Sequence, residues 1–315
     1  MNKDMSDVMI EEINYFDFIN DKRKSTGFIY PEVDLRSKDV YLSDDPADPP
    51  ADPYVTEVFS GLTSLALAYI KDKPGALLDV CCGPGWLSLE SARLGHVTTG
   101  IDISDTALNL ARSYLATQNK ETIDKLKYIN TSFEDFFTVN QNSNFSIITG
   151  WSAFHHLLDT RNKLKQMTSI LEEGGLMITF DDLEFDNLTL IIRKILLFIL
   201  PIRGFSYKQK IKELFTLDLF KRIFANSIDS PAEIQAEKHG IGADIIFDYF
   251  TNDLLPLKVA YEGGFASAVS YRLRMPIWQR KITASILLRL ENILLKIKLI
   301  SPRYRLIVSR KISLI

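Results

Sequence analysis

Asp79, Gly83, Gly85 and Asp102 are residue types whose spacing suits the binding of a nucleoside. Leu77-Leu78-Asp79-Val80 is an apolar run that ends in a small-residue turn, Cys81-Cys82-Gly83-Pro84-Gly85, and a helical pattern follows from Trp86. A second apolar run, Val97 to Ile101, ends in the carboxylate of Asp102. Glycines carry no Cβ, so the backbone of such a turn can approach a ligand closely. A carboxylate at the tip of the next strand can accept hydrogen bonds from both hydroxyls of a ribose. Asp102 lies 17 residues after Gly85, close to the roughly 20 of a strand–turn–helix–strand half-site. A dinucleotide loop needs a third glycine for close helix–strand packing. That position is Ser88, so the dinucleotide pattern fails.

The elements that must hold these residues alternate. Apolar runs predict strands near 76–81, 96–102, 126–131, 145–150 and 175–181, and helical periodicity predicts helices near 57–72, 86–94, 104–118 and 160–171. Such alternation implies a parallel sheet covered on both faces, with ligands at the carboxyl ends of its strands. The expected fold is α/β: a Rossmann-like, seven-stranded, mostly parallel sheet with helical cap insertions after strands five and six. Residues 1–56 form a helical and Pro-rich segment with an apolar stripe of Ile10, Ile13, Phe16 and Ile19, and Pro-Ala-Asp-Pro twice near 46–53. Residues 57–182 form the core. Residues 183–227 are a helical insertion, most apolar from Leu188 to Leu200. Residues 228–271 hold a helix and strand six near 243–250. Residues 272–301 are a basic apolar insertion with a helix from Ile282 to Leu299, and 302–315 hold the last strand.

An acid in the first strand followed by a Gly-x-Gly turn resembles motif I of the class I S-adenosylmethionine-dependent methyltransferases, with Cys81 at the family's usual first glycine. The resemblance continues in order. Asp102-Ile103-Ser104 is similar to the ribose-binding strand end. Thr131-Ser132-Phe133-Glu134-Asp135 is similar to the adenine-side loop, with Ser132 where an aspartate is common. Gly150-Trp151-Ser152-Ala153-Phe154-His155-His156 is similar to the loop after strand four, and Gly174-Gly175 to the turn into strand five. The resemblance implies S-adenosyl-L-methionine as cofactor, with Asp79, Cys81, Gly83, Gly85, Asp102, Ile103, Ser132, Phe133 and Trp151 around it. It also implies that the segment before motif I folds over the cofactor, where Tyr41 and Tyr54 are candidate contacts, and that the insertions form a substrate cap. Trp151 would either touch the methionine part of the cofactor or fill the core beneath the cap.

Methyl transfer from a sulfonium needs an in-line nucleophile and, for a hydroxyl or ammonium acceptor, removal of a proton. Histidine titrates in the right range. Of the four histidines, His155 and His156 follow strand four at the reactive end, and adjacency allows one of them to face the methyl group. Base-free catalysis is the alternative. Asp181 and Asp182 end strand five, either as a helix cap or as a site for a metal or an amine; no second cluster stands at ligand spacing, so no metal is expected.

The expected product of this chemistry is a methylated oxygen or nitrogen of a small metabolite or biosynthetic intermediate. The alternatives are a lipid-linked acceptor at a membrane surface and a non-catalytic binding or scaffold protein. Net charge is −3, and Asp48-Pro49-Pro50-Ala51 lacks the aromatic that a base-flipping methyltransferase places after its prolines, so nucleic acid is not an expected partner. Two adjacent cysteines form no ordinary staple, and the acidic N-terminus carries no apolar signal core, so a reducing cytoplasm is the expected home. The charge is uneven. Residues 1–60 hold 14 acidic and 6 basic side chains, whereas residues 271–315 hold 11 basic ones and a single acid, Glu291. These ends either attract each other across the fold, or the basic helix over 282–299 contacts an anionic membrane surface. Oligomeric state is not legible.

Overall fold

The computed structural model describes residues 10–18, 21, 53–157, 159–183, 186–202, 206–214, 253–263, 265–270 and 273–312. Its strands are β1 (Ala76–Val80), β2 (Val97–Asp102), β3 (Leu126–Asn130), β4 (Phe145–Trp151), β5 (Leu171–Asp182), β6 (Leu254–Glu262) and β7 (Tyr304–Lys311). They form one sheet in the order β3-β2-β1-β4-β5-β7-β6. The first five pair in parallel, and β7 lies antiparallel between β5 and β6. This is the mostly parallel seven-stranded sheet that the sequence predicts.

Side chains of a strand alternate between faces, and here the alternation divides two apolar layers. Leu77, Ile147, Leu176, Ile178 and Phe180 face one layer, which α2 (Pro53–Asp72) enters with Leu62, Ala66 and Ile70. Leu78, Ile148 and Met177 face the other, filled by Phe136 and Phe137 of α6 (Phe133–Val139) and by Leu164 and Met167 of α7 (Thr160–Ser169). On the first side, α3 (Trp86–Arg93) follows β1. Between β2 and β3 run α4 (Asp105–Leu115) and α5 (Lys120–Lys125).

The helices after β5 are α8 (Asn187–Ile199) and α9 (Tyr207–Leu214); those after β6 are α10 (Phe265–Ser270) and α11 (Ile277–Lys296). Leu197, Phe265, Ala266, Ala284 and Leu287 place these insertions in the same layer as α2. Two of the charges buried among them serve helix ends, where backbone groups lack intrahelical partners. Lys210 Nζ donates to the carbonyls of Leu197, Phe198 and Leu200 at the end of α8. Glu291 accepts the amide of Ala266 at 2.7 Å, at the start of α10.

Four differences from the expected elements have physical causes. The predicted helix over 104–118 is α4, which stops at Leu115, and an additional helix, α5, follows it because the Asn119 side chain caps its start by accepting from Thr122 N. An additional helix, α6, begins at Ser132, whose hydroxyl accepts from Asp135 N. Gly174-Gly175 forms a bulge within β5 rather than a turn before it: Phe145 pairs with Leu171 and Ile147 with Leu176. The described sixth strand is Leu254–Glu262, an edge strand whose ladder shifts register next to Pro256. The expected strand at 243–250, the connector near 46–53, Tyr41 and the side chain of Tyr54 lie outside the described residues.

Residues 10–18 form a further helix, α1. Its predicted apolar stripe is only partly realised: Ile10 is exposed, and the buried residue is Glu12.

Candidate active site

The turn after β1 is fixed by backbone hydrogen bonds from two directions. Cys82 N–H donates to Ile101 O of β2, and Gly85 N–H donates to Cys82 O, each at 2.9 Å. Holding the chain this tightly requires left-handed backbone at Cys81 (φ 53°), Gly83 (φ 53°) and Gly85 (φ 82°). A Cβ on Gly85 would stand 2.3 Å from Tyr128 Oη, which donates a hydrogen bond to Gly85 O. A Cβ on Gly83 would meet no atom within 4 Å, so there the turn faces open space rather than the core.

Two carboxylates sit on either side of this turn. Asp79 lies beneath it, fully buried, with one oxygen accepting from Ser88 Oγ at 2.6 Å and the other from Thr149 Oγ1 at 2.7 Å. Burial pushes its pKa up to about 6, against the lowering effect of the two hydroxyl donors. Asp79 therefore ties β1 to β4 and α3, and at 1% exposure it is out of reach of a ligand, whereas Asp102 is only half-buried. Asp102 ends β2. Its oxygens accept from Gly83 N and Ser104 N, both at 2.8 Å. Burial raises this carboxyl above its ordinary value, while those backbone donors and the nearby His156 pull it down. Each carboxylate oxygen has a second acceptor position, so Asp102 can hold the turn and still receive two hydroxyls.

The loops after β3, β4 and β5 converge on the same edge. Ile103 is half-buried, and its carbonyl accepts from Asn130 Nδ2. The Ser132 hydroxyl is committed to Asp135, as both donor and acceptor, at the start of α6. Phe133 points inward and stacks on Phe137 at 4.1 Å between centroids. Trp151 is half-buried; it stacks on Phe180 at 4.3 Å and meets Trp86 edge-on at 4.9 Å. Asp181 accepts from Phe154 N at 2.7 Å, so it caps the short turn Phe154–His156 rather than the next helix. His155 contributes backbone to that turn, and its side chain lies outside the described residues.

α1 lies against this edge through contacts that span the chain. Ser104 Oγ donates to Asp17 at 2.6 Å, Glu12 Oε1 stands 3.1 Å from His156 Nδ1, and the Phe16 ring meets the His156 ring edge-on at 4.9 Å. Glu12, Asp17, Ser88, Thr149 and Tyr128 are site residues that sequence reasoning does not single out. Ser88 has a signal, since it stands one helical turn inside α3 next to an acid-bearing strand. The acids of α1 have none, because their partners lie about ninety to 140 positions away. Among the described residues, no group of three or more His, Cys, Asp or Glu could hold a metal ion. A surface cavity of about 340 Å³ between Ala92, Gln118 and Thr122 belongs to the opposite, amino-terminal edge of the sheet.

A 3-2-1-4-5-7-6 sheet with antiparallel β7, a glycine turn after β1 and an acid closing β2 define the class I methyltransferase fold. The chain belongs to the methyltransferase-domain family, whose model matches residues 54–226, more than half of its length. The methyl donor of the class I family is S-adenosyl-L-methionine. Over 124 residues the chain is 32% identical to the ubiquinone biosynthesis O-methyltransferase of Glaesserella parasuis serovar 5, covering 37% of this chain and 51% of that enzyme. It is 34% identical over 124 residues to the same-named enzyme of Actinobacillus pleuropneumoniae serotype 5b, with the same coverage. The chain thus spans about half the length of the curated relatives it matches. A solved structure from Galdieria sulphuraria, named for a sarcosine dimethylglycine methyltransferase, superposes with a TM-score of 0.53 over 95% of this chain and 98% of its own, at 12% identity. That likeness concerns the fold alone.

Proposed function

We propose that this chain transfers a methyl group from S-adenosyl-L-methionine to an oxygen or nitrogen of a small metabolite or biosynthetic intermediate. The observation that carries this reading is Asp102 holding the Gly83 amide while retaining acceptor positions for a ribose, beside a turn that opens to free space at Gly83. The cofactor would rest above Gly83, with its ribose on Asp102. When bound, it supplies a methyl group already activated by a sulfonium. The curated relatives are named for O-methyl transfer, which supports an oxygen acceptor.

The chain's own work is then to place the acceptor and take its proton. His156 is the base in this reading. Glu12 at Nδ1 orients the ring and stabilises its cationic form, which leaves Nε2 to receive the proton. Glu12 is a positioning residue, and it makes α1 part of the site. The same proposal includes a peripheral membrane contact through 282–299, supported by exposed isoleucines on α11.

Calorimetric titration with S-adenosyl-L-methionine and with its demethylated product tests the cofactor; micromolar binding is expected, and no binding of either would sink the assignment. For the base, His156→Ala should leave cofactor affinity within about twofold and lower kcat by roughly 10²-fold or more. Glu12→Gln should lower kcat less, with Glu12→Asp recovering part of the loss. Wild-type kcat in His156→Ala would remove histidine from the mechanism.

A further inference from the structure

We infer that the outward face of α11 is a docking surface for an anionic lipid membrane, which deepens the membrane-contact reading above. A surface helix of a globular protein normally turns its apolar residues inward and polar ones outward, and α11 departs from that rule. Its inward face, with Ala284, Leu287 and Glu291, is buried in the layer shared with α2. Its opposite face carries Trp278, Ile282, Ile286, Leu290, Ile293 and Ile297, which are between 39% and 63% exposed. Their spacing of four, four, four, three and four residues keeps them on one side of the helix. At about 1.5 Å per residue this stripe is about 28 Å long. Isolated exposed leucines or isoleucines need no explanation, but a continuous apolar stripe of this length marks an interaction site.

The charges select the partner. The exposed Arg289 and Lys296 stand seven residues apart along one flank of the stripe, and the exposed Arg274 and Lys298 lie beyond its two ends. The single acid of residues 271–315, Glu291, is buried and accepts the amide of Ala266. The exposed side of α11 is therefore apolar and cationic, with neutral Gln279, Ser285 and Asn292 among its exposed residues and no exposed carboxylate. α8, which packs beside α11 through α10, repeats the chemistry: Ile191, Ile195 and Ile199 are each at least half exposed at intervals of four, and Arg193 and Lys194 are its only charges. A second copy of this chain meeting α11 face to face would oppose like charges, which disfavours that occupant. An anionic bilayer satisfies both features: isoleucines enter the acyl boundary, Trp278 suits the headgroup level, and the basic flank meets phosphates. No described helix is long and apolar enough to cross a membrane, so contact would be along the surface.

The test is flotation of the full chain with vesicles of phosphatidylcholine alone and of phosphatidylcholine mixed with phosphatidylglycerol. Strong binding to the mixed vesicles and weak binding to the neutral ones is expected. Combining Ile282→Ser, Ile286→Ser and Ile293→Ser should weaken binding more than ~10-fold. Arg289→Glu with Lys296→Glu should cost roughly fivefold or more per residue and remove the salt sensitivity. All five positions are exposed, so unchanged melting temperatures will certify the fold. Absence of flotation, equal binding to both vesicle types, or full binding by the triple variant overturns the inference. So does a dimer in sedimentation velocity that the triple variant abolishes, which would assign the face to a second copy. Cofactor titration on the same samples separates the readings: intact cofactor binding without flotation defeats this inference alone, and flotation without cofactor binding defeats the methyltransferase reading alone.

Discussion

The carboxyl edge of β1 and β2 and the helices that follow β5 and β6 use buried charge in opposite ways. At the first, two acids fix a loop: buried Asp79 braces the turn from below, and half-buried Asp102 holds it from the side. Among the later helices, Lys210 and Glu291 are buried to finish helix ends. The outward faces differ as well. The turn presents backbone and a carboxylate, which suit one small ligand, whereas α11 presents repeated isoleucines and basic side chains, which suit a surface. The lesson is that buried charge by itself does not mark a site. In the proposed reading, what marks it at Asp102 is acceptor capacity left over on a carboxylate that is still partly exposed.

The sharpest way to break this comparison is Asp102→Ala. It removes the acceptor for Gly83 N and Ser104 N and, in the proposed reading, both ribose contacts. Hydrogen bonds to a charged group contribute about 1.5–3 kcal/mol each. Cofactor affinity should therefore fall on the order of 10²- to 10⁴-fold by calorimetry, while vesicle binding through α11 stays the same. Unchanged cofactor affinity would show that Asp102 is as purely structural as Glu291.

Asp79→Asn separates bracing from binding through its pH dependence. The folded-state pKa is raised, from an ordinary 3.8 to about 6, so the folded chain holds the proton more tightly than the unfolded one. That contribution to stability is fully present below pH ~4 and is lost as pH rises through about 6. The loss amounts to about 3 kcal/mol. Asparagine cannot ionise, and it can still accept from Thr149 and donate to Ser88. Denaturant midpoints at pH 4 and pH 7 should therefore show the difference between the two chains shifting in favour of the Asp79→Asn variant as pH rises. A pH-independent difference would mean that the two hydroxyls hold Asp79 at its ordinary value. Asp102 and its environment are common to both chains, so their own titration largely cancels.

The same contrast explains what is legible in the sequence. Strands β1, β2, β4 and most of β5 are buried on both faces, so they are legible as largely apolar runs, and the turn at 81–85 announces itself by its glycines. Residues that must satisfy strict geometry leave signatures, and Asp102 is one of them. α6 does carry a local signature, since Ser132-x-x-Asp135 is a capping pattern, but the resemblance to a cofactor loop assigns Ser132 another role and hides the cap. β6 is hard to read because Pro256 argues against a central strand; it is an edge strand, where proline is tolerated. Glu12 and Asp17 are illegible for a different reason. Their partners are His156 and Ser104, and nothing in local periodicity reports a contact across so much chain. On α11 the sequence shows the apolar residues but not which half of them the fold covers, since both faces carry the same residue types.

The smallest effect concerns the departure from the family turn. Cys81 occupies a left-handed conformation at φ 53°, which is why a glycine is usual there. A non-glycine residue in that region costs about 1–2 kcal/mol, and glycine returns about 0.4–1 kcal/mol of that through its freer unfolded chain. Cys81→Gly should therefore raise stability by less than about 1 kcal/mol. Cys81→Ala supplies the control: it loses the sulfur and its partial packing in the second layer but keeps the strained backbone. The difference between Cys81→Gly and Cys81→Ala isolates the backbone contribution, and roughly 0.5–1 kcal/mol in denaturant unfolding is expected. Equal stability of the two variants would mean that the bonds Cys82 N–Ile101 O and Gly83 N–Asp102 impose the turn whatever residue precedes them. The turn after β1 would then owe its shape to β2 rather than to its own sequence.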